Sequence, residues 1–390
     1  MKIALTTIGC KLNQSEIEDL KQDLKQAGYF IVPQNQSHDL HIFNACSITQ
    51  GAEQITRQKI RAVKRKNTKV QIYVMGCLNS KIPEISRVFI NKAEVLRYIK
   101  QKFKSKIQSA KFKIKSSKIR ALIKIQEGCN FNCAYCIINK FRGRSKSVAS
   151  TKIIQQIKAK EKQGCKEIVL VGQNILQYKN SDLNFVQLVI KIINETQIPR
   201  IRFSSLDPRL VSADFLALLK NPRVCPQLHL SLQSGSNKIL KQMNREYTDI
   251  KYLNIVRQAQ KINPLTSITT DIIVGFPGET EQDFQKTLNL VKKIDFLKIH
   301  IFPYSNRIGT KAAELKSQIS PSVIKKRFQK LENLAETQKS KFFKKIKGKT
   351  LEVLIEQNKN GCWQGYSKNY ILIKKRSKID LNNQIIKVKF

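Results

Sequence analysis

Short apolar segments alternate with amphipathic helical segments along most of this 390-residue chain. Within residues 1–100, strands are predicted at Lys2–Thr7, Leu40–Phe43 and Val70–Met75, with helices at Glu16–Ala27 and Ala52–Arg65. Alternation of this kind is typical of parallel βαβ units. We therefore predict an α/β fold that begins with a parallel α/β domain.

A second series of strands and helices begins at Ala121, after a basic stretch, Lys92–Lys118, that we predict to be a linker plus one helix. Six strands are predicted, at Ala121–Gln126, Glu167–Val171, Ile201–Ser205, Leu228–Leu232, Ile268–Val274 and Leu297–Phe302. Helices are predicted between them, for example at Lys152–Lys162, Leu183–Ile193, Ala213–Leu219 and Ile250–Ile262. Six βα units form a partial or complete barrel, whose ligands bind at the carboxyl ends of the strands.

The last part of the chain changes pattern after a Lys-rich helix predicted over residues 321–346. Short alternating strands are predicted at Leu351–Ile355, Tyr370–Lys374 and Gln384–Lys389, with Gly361 and Gly365 as turns. This pattern indicates a small antiparallel β-domain. Such modules commonly bind RNA, and a structural lid on the barrel is the alternative.

Three cysteines directly follow the first barrel strand, in the spacing C-x-x-x-C-x-x-C. These loop cysteines are Cys129, Cys133 and Cys136. Three thiolates on one tight loop can hold three irons of a 4Fe–4S cluster and leave the fourth iron open to a small molecule. A structural zinc ion normally takes four ligands, so the spacing favours a cluster over zinc or over three unrelated core cysteines.

Three further cysteines each follow the end of a predicted N-terminal strand. These strand-end cysteines are Cys10, Cys46 and Cys77. The carboxyl ends of parallel strands meet at one edge of a sheet, where ligands bind. The three thiols could therefore meet and hold a second cluster, and the alternative is that they are ordinary buried cysteines.

Polar residues and glycines follow the later barrel strands and face the same predicted edge. The candidate ligand-binding residues are Gly172, Gln173, Asn174, Ser205, Ser231, Gln233, Gly275 and Glu279. Each alone is compatible with ordinary turn chemistry. Together on one rim they predict a nucleotide-sized ligand site.

The net charge is strongly positive, with 72 Lys and Arg against 28 Asp and Glu, a formal charge of +44. A field of this size favours a polyanionic partner, nucleic acid first, with a biased composition as the alternative. Thiolate-held iron needs a reducing compartment, and no apolar run is long enough to cross a membrane. We expect a cytoplasmic protein.

Several motifs together resemble the radical SAM methylthiotransferase family: TIGCKLNQSE, FNACSIT, VMGCL, the loop-cysteine stretch with Tyr135, SLQSGS, DIIVGFPGET and FPYSNRIGTKAAEL. The resemblance covers nearly the whole chain. It implies a methylthiotransferase domain at 1–100, a radical SAM barrel at 115–345 and a TRAM domain at 347–390. It also implies a radical SAM 4Fe–4S cluster on the loop cysteines, where S-adenosylmethionine binds near Tyr135, and an auxiliary 4Fe–4S cluster on the strand-end cysteines.

The family's activity is transfer of a methylthio group to an unactivated C–H bond, and subgroup motifs indicate the substrate. GCKLNQSE, Thr49 and GYSKNY (365–370) resemble the enzymes that act at C2 of N6-threonylcarbamoyladenosine in tRNA. The alternatives are N6-isopentenyladenosine in tRNA, a ribosomal protein, or an RNA-binding protein with a structural metal. The resemblance implies as partners the anticodon loop of tRNA and an electron donor such as flavodoxin or ferredoxin. We expect a monomer.

Overall fold

The computed structural model describes residues 1–78, 82–103, 119–181 and 183–390. These residues divide into two units. The first unit contains the residues up to 103 together with Cys136–Arg144, and the second contains the remaining residues up to Phe390. None of the helices in these ranges has both the length and the apolar character that a membrane span requires.

A five-stranded parallel sheet forms the centre of the first unit, in the order β2-β1-β3-β4-β5. Its strands are β1 (Lys2–Thr7), β2 (Phe30–Ile31), β3 (Leu40–Ala45), β4 (Gln71–Gly76) and β5 (Arg87–Phe89). Its helices are α1 (Lys11–Gln26), α2 (Gln50–Lys66), α3 (Lys92–Lys102) and α4 (Ile138–Arg142). The parallel α/β prediction is confirmed.

Two helices of the first unit begin earlier than predicted, at Lys11 and Gln50. Helix α1 begins at Lys11, directly after Cys10, which has the extended backbone of an N-cap. Helix α2 begins after Thr49, whose side chain accepts a hydrogen bond from the Ala52 amide at 3.2 Å. The edge strands β2 and β5 were not predicted, since two or three residues are too few to show alternation. Of the predicted linker, helix α3 is present and residues 104–118 lie outside the described ranges.

Six parallel strands form the barrel of the second unit, as predicted. They belong to two three-stranded sheets, which isolated parallel bridges link at Ile201–Val224 and Leu206–Leu230. The strands in chain order are β6 (Arg120–Lys124), β7 (Gln126–Glu127), β8 (Lys146–Ser147), β9 (Glu167–Val171), β10 (Lys179–Asn180), β11 (Leu183–Asn184), β12 (Arg200–Phe203), β13 (Gln227–His229), β14 (Ser267–Val274) and β15 (Phe296–Pro303). The barrel strands are β6, β9, β12, β13, β14 and β15.

Helices fill the connections between the barrel strands and follow the last one. They are α5 (Ser150–Lys162), α6 (Phe185–Glu195), α7 (Ala213–Ala217), α8 (Asn237–Gln242), α9 (Asp249–Ile262), α10 (Glu281–Lys292) and α11 (Pro321–Ile346). Short 3₁₀ turns lie at Ile175–Gln177, Pro208–Leu210, Leu218–Lys220 and Lys311–Glu314. A large apolar core, to which Ile123, Leu170 and Phe203 belong, holds this layer of helices against the strands.

The C-terminal sheet consists of β16 (Thr350–Lys359), β17 (Cys362–Ser367), β18 (Leu372–Arg376) and β19 (Ile385–Lys389), in the antiparallel order β18-β17-β16-β19. The prediction of a turn at Gly365 was wrong, because this glycine lies inside β17. A Cβ atom at Gly365 would lie 2.1 Å from the carbonyl oxygen of Leu354 on the neighbouring strand. The glycine therefore permits two strands to approach closely, a role that turn statistics do not distinguish.

The C-terminal sheet packs on the amino ends of the barrel strands. Arg200 donates hydrogen bonds to the carbonyl oxygens of Glu352 at 2.6 Å and Tyr366 at 3.0 Å, and Ser267 donates one to Asn369 at 2.7 Å. Arg200 and Ser267 are the first residues of β12 and β14. The sheet therefore closes the end of the barrel opposite to Cys129 and Cys133.

Candidate active site

The strand-end cysteines follow β1, β3 and β4, which are neighbours in the sheet of the first unit. The backbone hydrogen bonding continues past the strand ends. The Ile8 amide donates to the Asn44 carbonyl at 2.9 Å, and the Cys77 amide donates to the Ala45 carbonyl at 3.1 Å. Burial raises the pKa of Cys46, and Cys10 and Cys77 raise it further, so both thiols lie within electrostatic range of Cys46.

Gly9 allows the loop that carries Cys10 to pass directly against Cys46. Its φ is +110°, and a Cβ atom there would lie 2.6 Å from the Cys46 Cβ and 3.1 Å from the Cys46 Sγ. A side chain at this position would strain the backbone and also occupy the space between the two thiols. Glycine is therefore required by both the turn and the close approach.

Asn13 ties two of the cysteine loops together. Its Nδ2 donates to the carbonyl oxygens of Ile8 at 3.0 Å and Ala45 at 2.9 Å, and these residues lie beside Cys10 and Cys46. Asn44 in turn donates to the Asn13 carbonyl at 3.0 Å. These contacts give a physical role to the Asn of the GCKLNQSE motif, which sequence reasoning noted without assigning one.

Arg142, at the end of α4, completes the surroundings of the strand-end cysteines. Its side chain is 5% exposed and donates to the two carboxylate oxygens of Glu16 at 2.6 and 2.9 Å and to Asn13 Oδ1 at 3.2 Å. Burial raises the pKa of Cys77, and the charge of Arg142 acts in the opposite direction. The site therefore contains a guanidinium that Glu16 and Asn13 hold in place.

Burial opposes the ionisation of two of the strand-end thiols. Burial raises the pKa of Cys46 to about 11 and also raises the pKa of Cys77, so the thiolates need a strong positive charge to form. Metal coordination supplies that charge. Across the described ranges, no three His, Cys, Asp or Glu side chains form a group that could hold one metal ion. Ligands of a cluster each bind a different iron and need not converge on one point.

The loop cysteines follow β6, and the buried Gln126 supports the start of their loop. Its Nε2 donates to the Gly128 carbonyl at 2.6 Å and to Ser145 Oγ at 2.8 Å. Cys129 and Cys133 belong to the second unit. Burial raises the pKa of Cys129, and the neighbouring Cys133 raises it further. Cys136 belongs to the first unit, where its Sγ accepts a hydrogen bond from the Ile138 amide at 3.5 Å.

The predicted residues Gly172, Gln173 and Asn174 meet the cysteine loop, because β9 lies beside β6 in the sheet. Gln173 Oε1 accepts from the Gly128 amide at 2.9 Å, and the Asn174 side chain lowers the pKa of Cys129 against the larger effect of burial, which raises it. Asn174 is 5% exposed, and its Oδ1 has no hydrogen-bond partner within the described part of the chain. An unsatisfied buried acceptor beside a thiol is consistent with a polar ligand at this position.

An arginine that sequence reasoning missed lies beside Cys133. Arg209 Nη2 is 3.5 Å from the Cys133 Sγ, and the guanidinium lies over the Phe131 ring at 3.4 Å. Asp207 orients this guanidinium through contacts of 3.0 and 2.7 Å. The only sequence signal was the position of Asp207 and Arg209 just beyond a barrel strand, in the run SLDPRL.

The hydrogen bonds of Asp207 extend through Arg245 to Tyr135, a predicted cofactor-binding residue. Arg245 is 9% exposed, donates to Asp207 Oδ2 at 2.7 Å and donates to the Tyr135 hydroxyl at 3.0 Å. Burial alone would raise the pKa of Asp207, but Arg209 and Arg245 outweigh it and lower that pKa. The carboxylate is therefore ionised and holds two guanidinium groups in place.

Three other predicted rim residues, Ser231, Gln233 and Glu279, form hydrogen bonds with other parts of the second unit. Ser231 donates to Asp271 Oδ2 at 3.2 Å, and Gln233, with φ of +65°, donates through its amide to the Asp271 carbonyl at 2.8 Å. Glu279 accepts from the Gly275 amide at 2.8 Å and pairs with Arg327 at 2.8 Å, so it holds its own loop. Ser205 is exposed.

His229 forms hydrogen bonds with Asp271 at 3.0 Å and Thr269 at 2.9 Å inside the barrel. Three cysteines belong to neither three-cysteine set. Of these, Cys165 and Cys225 are 4% and 0% exposed, and Cys362 is half-buried in β17.

Two family models match the chain. The radical SAM superfamily matches residues 123–291, and the uncharacterized protein family UPF0004 matches residues 2–96. Among solved structures, the radical S-adenosylmethionine methyltransferase TsrM of Kitasatospora setae, solved with cobalamin and a [4Fe-4S] cluster, is 11% identical with a TM-score of 0.57. That match covers 80% of this chain and 77% of the other, and it supports the fold alone.

Curated relatives match over most of their length. The threonylcarbamoyladenosine tRNA methylthiotransferase MtaB of Aquifex aeolicus is 35% identical, over 96% of this chain and 97% of the relative. The protein of the same name from Chlamydia pneumoniae is 37% identical, over 93% and 89%. A tRNA-2-methylthio-N(6)-dimethylallyladenosine synthase of Clostridium novyi is 36% identical, over 90% and 85%. The chain therefore belongs to the radical SAM tRNA methylthiotransferase family.

Proposed function

We propose that this protein transfers a methylthio group to C2 of N6-threonylcarbamoyladenosine at position 37 of tRNA, next to the anticodon. The observation that carries the proposal is the presence of two three-cysteine sets, one after the neighbouring strands β1, β3 and β4 and one in the loop after β6, in a chain 35% identical to an MtaB relative over nearly its whole length. N6-isopentenyladenosine is the second candidate substrate, because a relative 36% identical is named as the dimethylallyladenosine enzyme.

The family's cofactors are S-adenosylmethionine and two 4Fe–4S clusters. In our proposal the strand-end cysteines hold the auxiliary cluster, and the loop cysteines hold the cluster that binds S-adenosylmethionine. When bound, these groups supply the electron, the radical and the methylthio group, chemistry that protein side chains cannot provide. The donor sets fit, because each offers three thiols and leaves one iron open.

In our proposal the protein's own residues bind S-adenosylmethionine and orient the groups around it. Asn174 offers its free Oδ1 beside Cys129, and we assign it to the polar part of S-adenosylmethionine. Arg209 places a fixed positive charge at Cys133, and Asp207 prevents it from rotating away. Tyr135, held by Arg245, offers its ring beside the same loop. The other candidates for shaping this pocket remain Gly172, Gln173, Ser205, Ser231, Gln233, Gly275 and Glu279.

The positive charge provides a surface for the RNA backbone. Helix α2 exposes four cations, at Lys59, Arg61, Arg65 and Lys66. Helix α11 and the C-terminal sheet expose further lysines, for example Lys325, Lys341, Lys374 and Lys387. Phosphate contacts of this kind give affinity and position the substrate, while the target base must leave its stack to enter a buried site.

We retain the division into a methylthiotransferase domain at 1–100, a radical SAM barrel at 115–345 and a TRAM domain at 347–390. The radical chemistry needs a reductant, for which a flavodoxin or ferredoxin is the expected donor. A cytoplasmic monomer is the form in which we expect the protein to act, since tRNA and a reducing environment are both found there.

Mass spectrometry of tRNA nucleosides tests the substrate directly. Cells that lack the gene should lose 2-methylthio-N6-threonylcarbamoyladenosine and accumulate the form without the methylthio group. Re-expression of the intact gene should restore it, and the Cys133→Ala gene should not. Loss of only the methylthio isopentenyl nucleoside would identify the second candidate substrate, and no change in either nucleoside would refute a tRNA substrate.

A further inference from the structure

We propose that the ring of Phe302 is the surface on which the target base of the tRNA stacks when the base enters the barrel. The inference rests on the proposed function and adds to it a residue that contacts the base itself. Phe302 is the next-to-last residue of β15, and its side chain is 39% exposed. It begins the motif FPYSNRIGTKAAEL, to which sequence reasoning assigned no contact.

The Phe302 ring faces the inside of the barrel. Successive side chains of a strand point to opposite faces. On β15, Ile299 belongs to the apolar core beneath the helices, and Ile301 packs against that core. The side chains of His300 and Phe302 therefore point the other way, towards the interior. In agreement with this, the His300 ring lies 5.7 Å from the ring of His229, which belongs to β13.

Phe302 lies at the end of the barrel that carries the cysteine loop. Its register partner on β14 is Ile273, which belongs to a small apolar cluster together with Ala134. Ala134 directly follows Cys133, and its carbonyl oxygen accepts a hydrogen bond from the Ala312 amide at 2.8 Å. The segment after β15 is thus attached to the cysteine loop. Phe302 is one strand away from a residue that packs in the same cluster as that loop.

Packing within the second unit does not account for the exposed ring. Tyr304, two positions later, places its ring edge-on against the buried Phe276 at 5.7 Å. Across the described ranges, the Phe302 ring pairs with no other aromatic ring and with no cation. Ile308 and Leu315 follow in the same motif and are also exposed, at 88% and 40%. Apolar side chains exposed together beside a ligand site indicate a binding surface.

An unstacked adenine is the ligand that suits an aromatic ring in this position. A base that leaves its stack in RNA loses stacking energy, and enzymes that act on bases recover it by stacking the base on aromatic side chains. The formal charge of +44 attracts the phosphates but does not hold a neutral base. The face of the adenine is the same in the threonylcarbamoyl and isopentenyl nucleosides, so the ring would serve either substrate.

The test measures methylthiolation of total tRNA from cells that lack the gene, with the full-length protein carrying both clusters. Phe302→Ala should lower kcat/KM for tRNA by about 5- to 150-fold, the range expected for loss of one base–aromatic stack. Phe302→Leu keeps an apolar side chain without a π-face and should be slowed in the same way. Phe302→Trp keeps a ring and should remain near the parent value.

Two further measurements separate base stacking from a structural role. Iron content, and the rate of 5′-deoxyadenosine formation without RNA, should equal the parent values in all three variants. The matched control is Phe30→Ala, which removes a ring that is 63% exposed on β2 of the first unit and should leave kcat/KM unchanged.

A parental kcat/KM in Phe302→Ala or in Phe302→Leu would overturn the inference, as would an equal loss in Phe30→Ala. Loss of iron in Phe302→Ala, or a raised KM for S-adenosylmethionine without RNA, would assign the ring to packing or to the cofactor and would also overturn it. If the parent protein forms no methylthio nucleoside from this tRNA, the proposed function is refuted and the inference falls with it. An active parent matched by Phe302→Ala would refute the inference alone.

Discussion

Glu167 and Arg202 form a buried ion pair inside the barrel, with Glu167 Oε1 2.8 Å from Arg202 Nε and both side chains at 0% exposure. Arg120 reaches the same oxygen at 2.7 Å, and Arg200 lies 3.5 Å from the other one. Arg202 also donates to the carbonyl oxygen of Lys368 at 3.0 Å. A single carboxylate thus orients three arginines, and all three also contact the C-terminal sheet, Arg120 through Glu356.

Replacement of Glu167 by glutamine should destabilise the second unit and release the C-terminal sheet. The change leaves buried guanidinium groups without their counter-charge, which typically costs about 3–5 kcal/mol. Thermal unfolding should occur at lower temperature, and limited proteolysis should cut earlier between α11 and β16.

The control is Glu195→Gln, which removes an exposed pair with Lys191 at 2.8 Å on α6. Pairs of that kind contribute only about 0.3–0.5 kcal/mol. Equal stability losses in the two variants would contradict the role of Glu167 as the centre of the arginine network.

Acid should lower the stability of the first unit against unfolding, because the fully buried His41 resists protonation in the folded state. Burial, together with the adjacent His38, lowers the pKa of His41 from 6.5 to about 3. Below pH 6.5 the unfolded chain therefore binds a proton that the folded chain excludes, and stability falls as pH falls. The loss should reach about 2 kcal/mol at pH 5.

Nuclear magnetic resonance of histidine-labelled protein checks this, because the chain has four histidines. The His41 ring signals should not titrate between pH 8 and 5. A His41 midpoint near 6.5 in the folded protein would contradict the prediction. In His41→Gln, the loss of stability between pH 7 and 5 should be smaller than in the parent protein.

The sequence predicts the parts of the site that follow from strand order. Parallel alternation places Cys10, Cys46 and Cys77 at the ends of separate strands, and the observed order makes β1, β3 and β4 neighbours. In the same way it places Gly172–Asn174 near the loop after β6. These inferences need only the rule that parallel strands end at one edge.

The rest of the site depends on contacts between residues far apart in the chain. Arg142 pairs with Glu16 across 126 positions, and Arg209 reaches Cys133 across 76. The local pattern of the sequence gives no signal for pairs so far apart. An arginine is also usually exposed to solvent, so its position alone does not indicate a buried contact. Strand order also cannot show that the Glu279 carboxylate contacts Arg327 and the Gly275 amide, and its place in the ligand site stays a prediction.

Replacement of Arg209 by glutamine should slow the cleavage of S-adenosylmethionine. The change removes a charged hydrogen-bond donor beside Cys133, and hydrogen bonds to charged groups contribute about 1.5–3 kcal/mol, or roughly 10- to 100-fold in rate. Formation of 5′-deoxyadenosine under chemical reduction measures the effect. Arg209→Lys should also be slow, because lysine cannot keep the paired contact with Asp207.

The matched control for Arg209 is Arg257→Gln, which removes an exposed arginine on α9 and should cleave at the parent rate. Iron content is measured in every variant, so that loss of the cluster is separated from slower cleavage. Normal cleavage by Arg209→Gln with a full cluster would contradict the prediction.

Single cysteine replacements should separate the two halves of the reaction. Cys133→Ala removes a proposed ligand of the cluster that binds S-adenosylmethionine, so cleavage and transfer should both be lost. Cys46→Ala removes a proposed ligand of the auxiliary cluster, so 5′-deoxyadenosine should still form while no methylthio nucleoside appears. Cys362→Ala, in the half-buried cysteine of β17, should retain both activities and its iron. Loss of cleavage in Cys46→Ala, with the protein still folded, would mean that the two sites do not have separate roles.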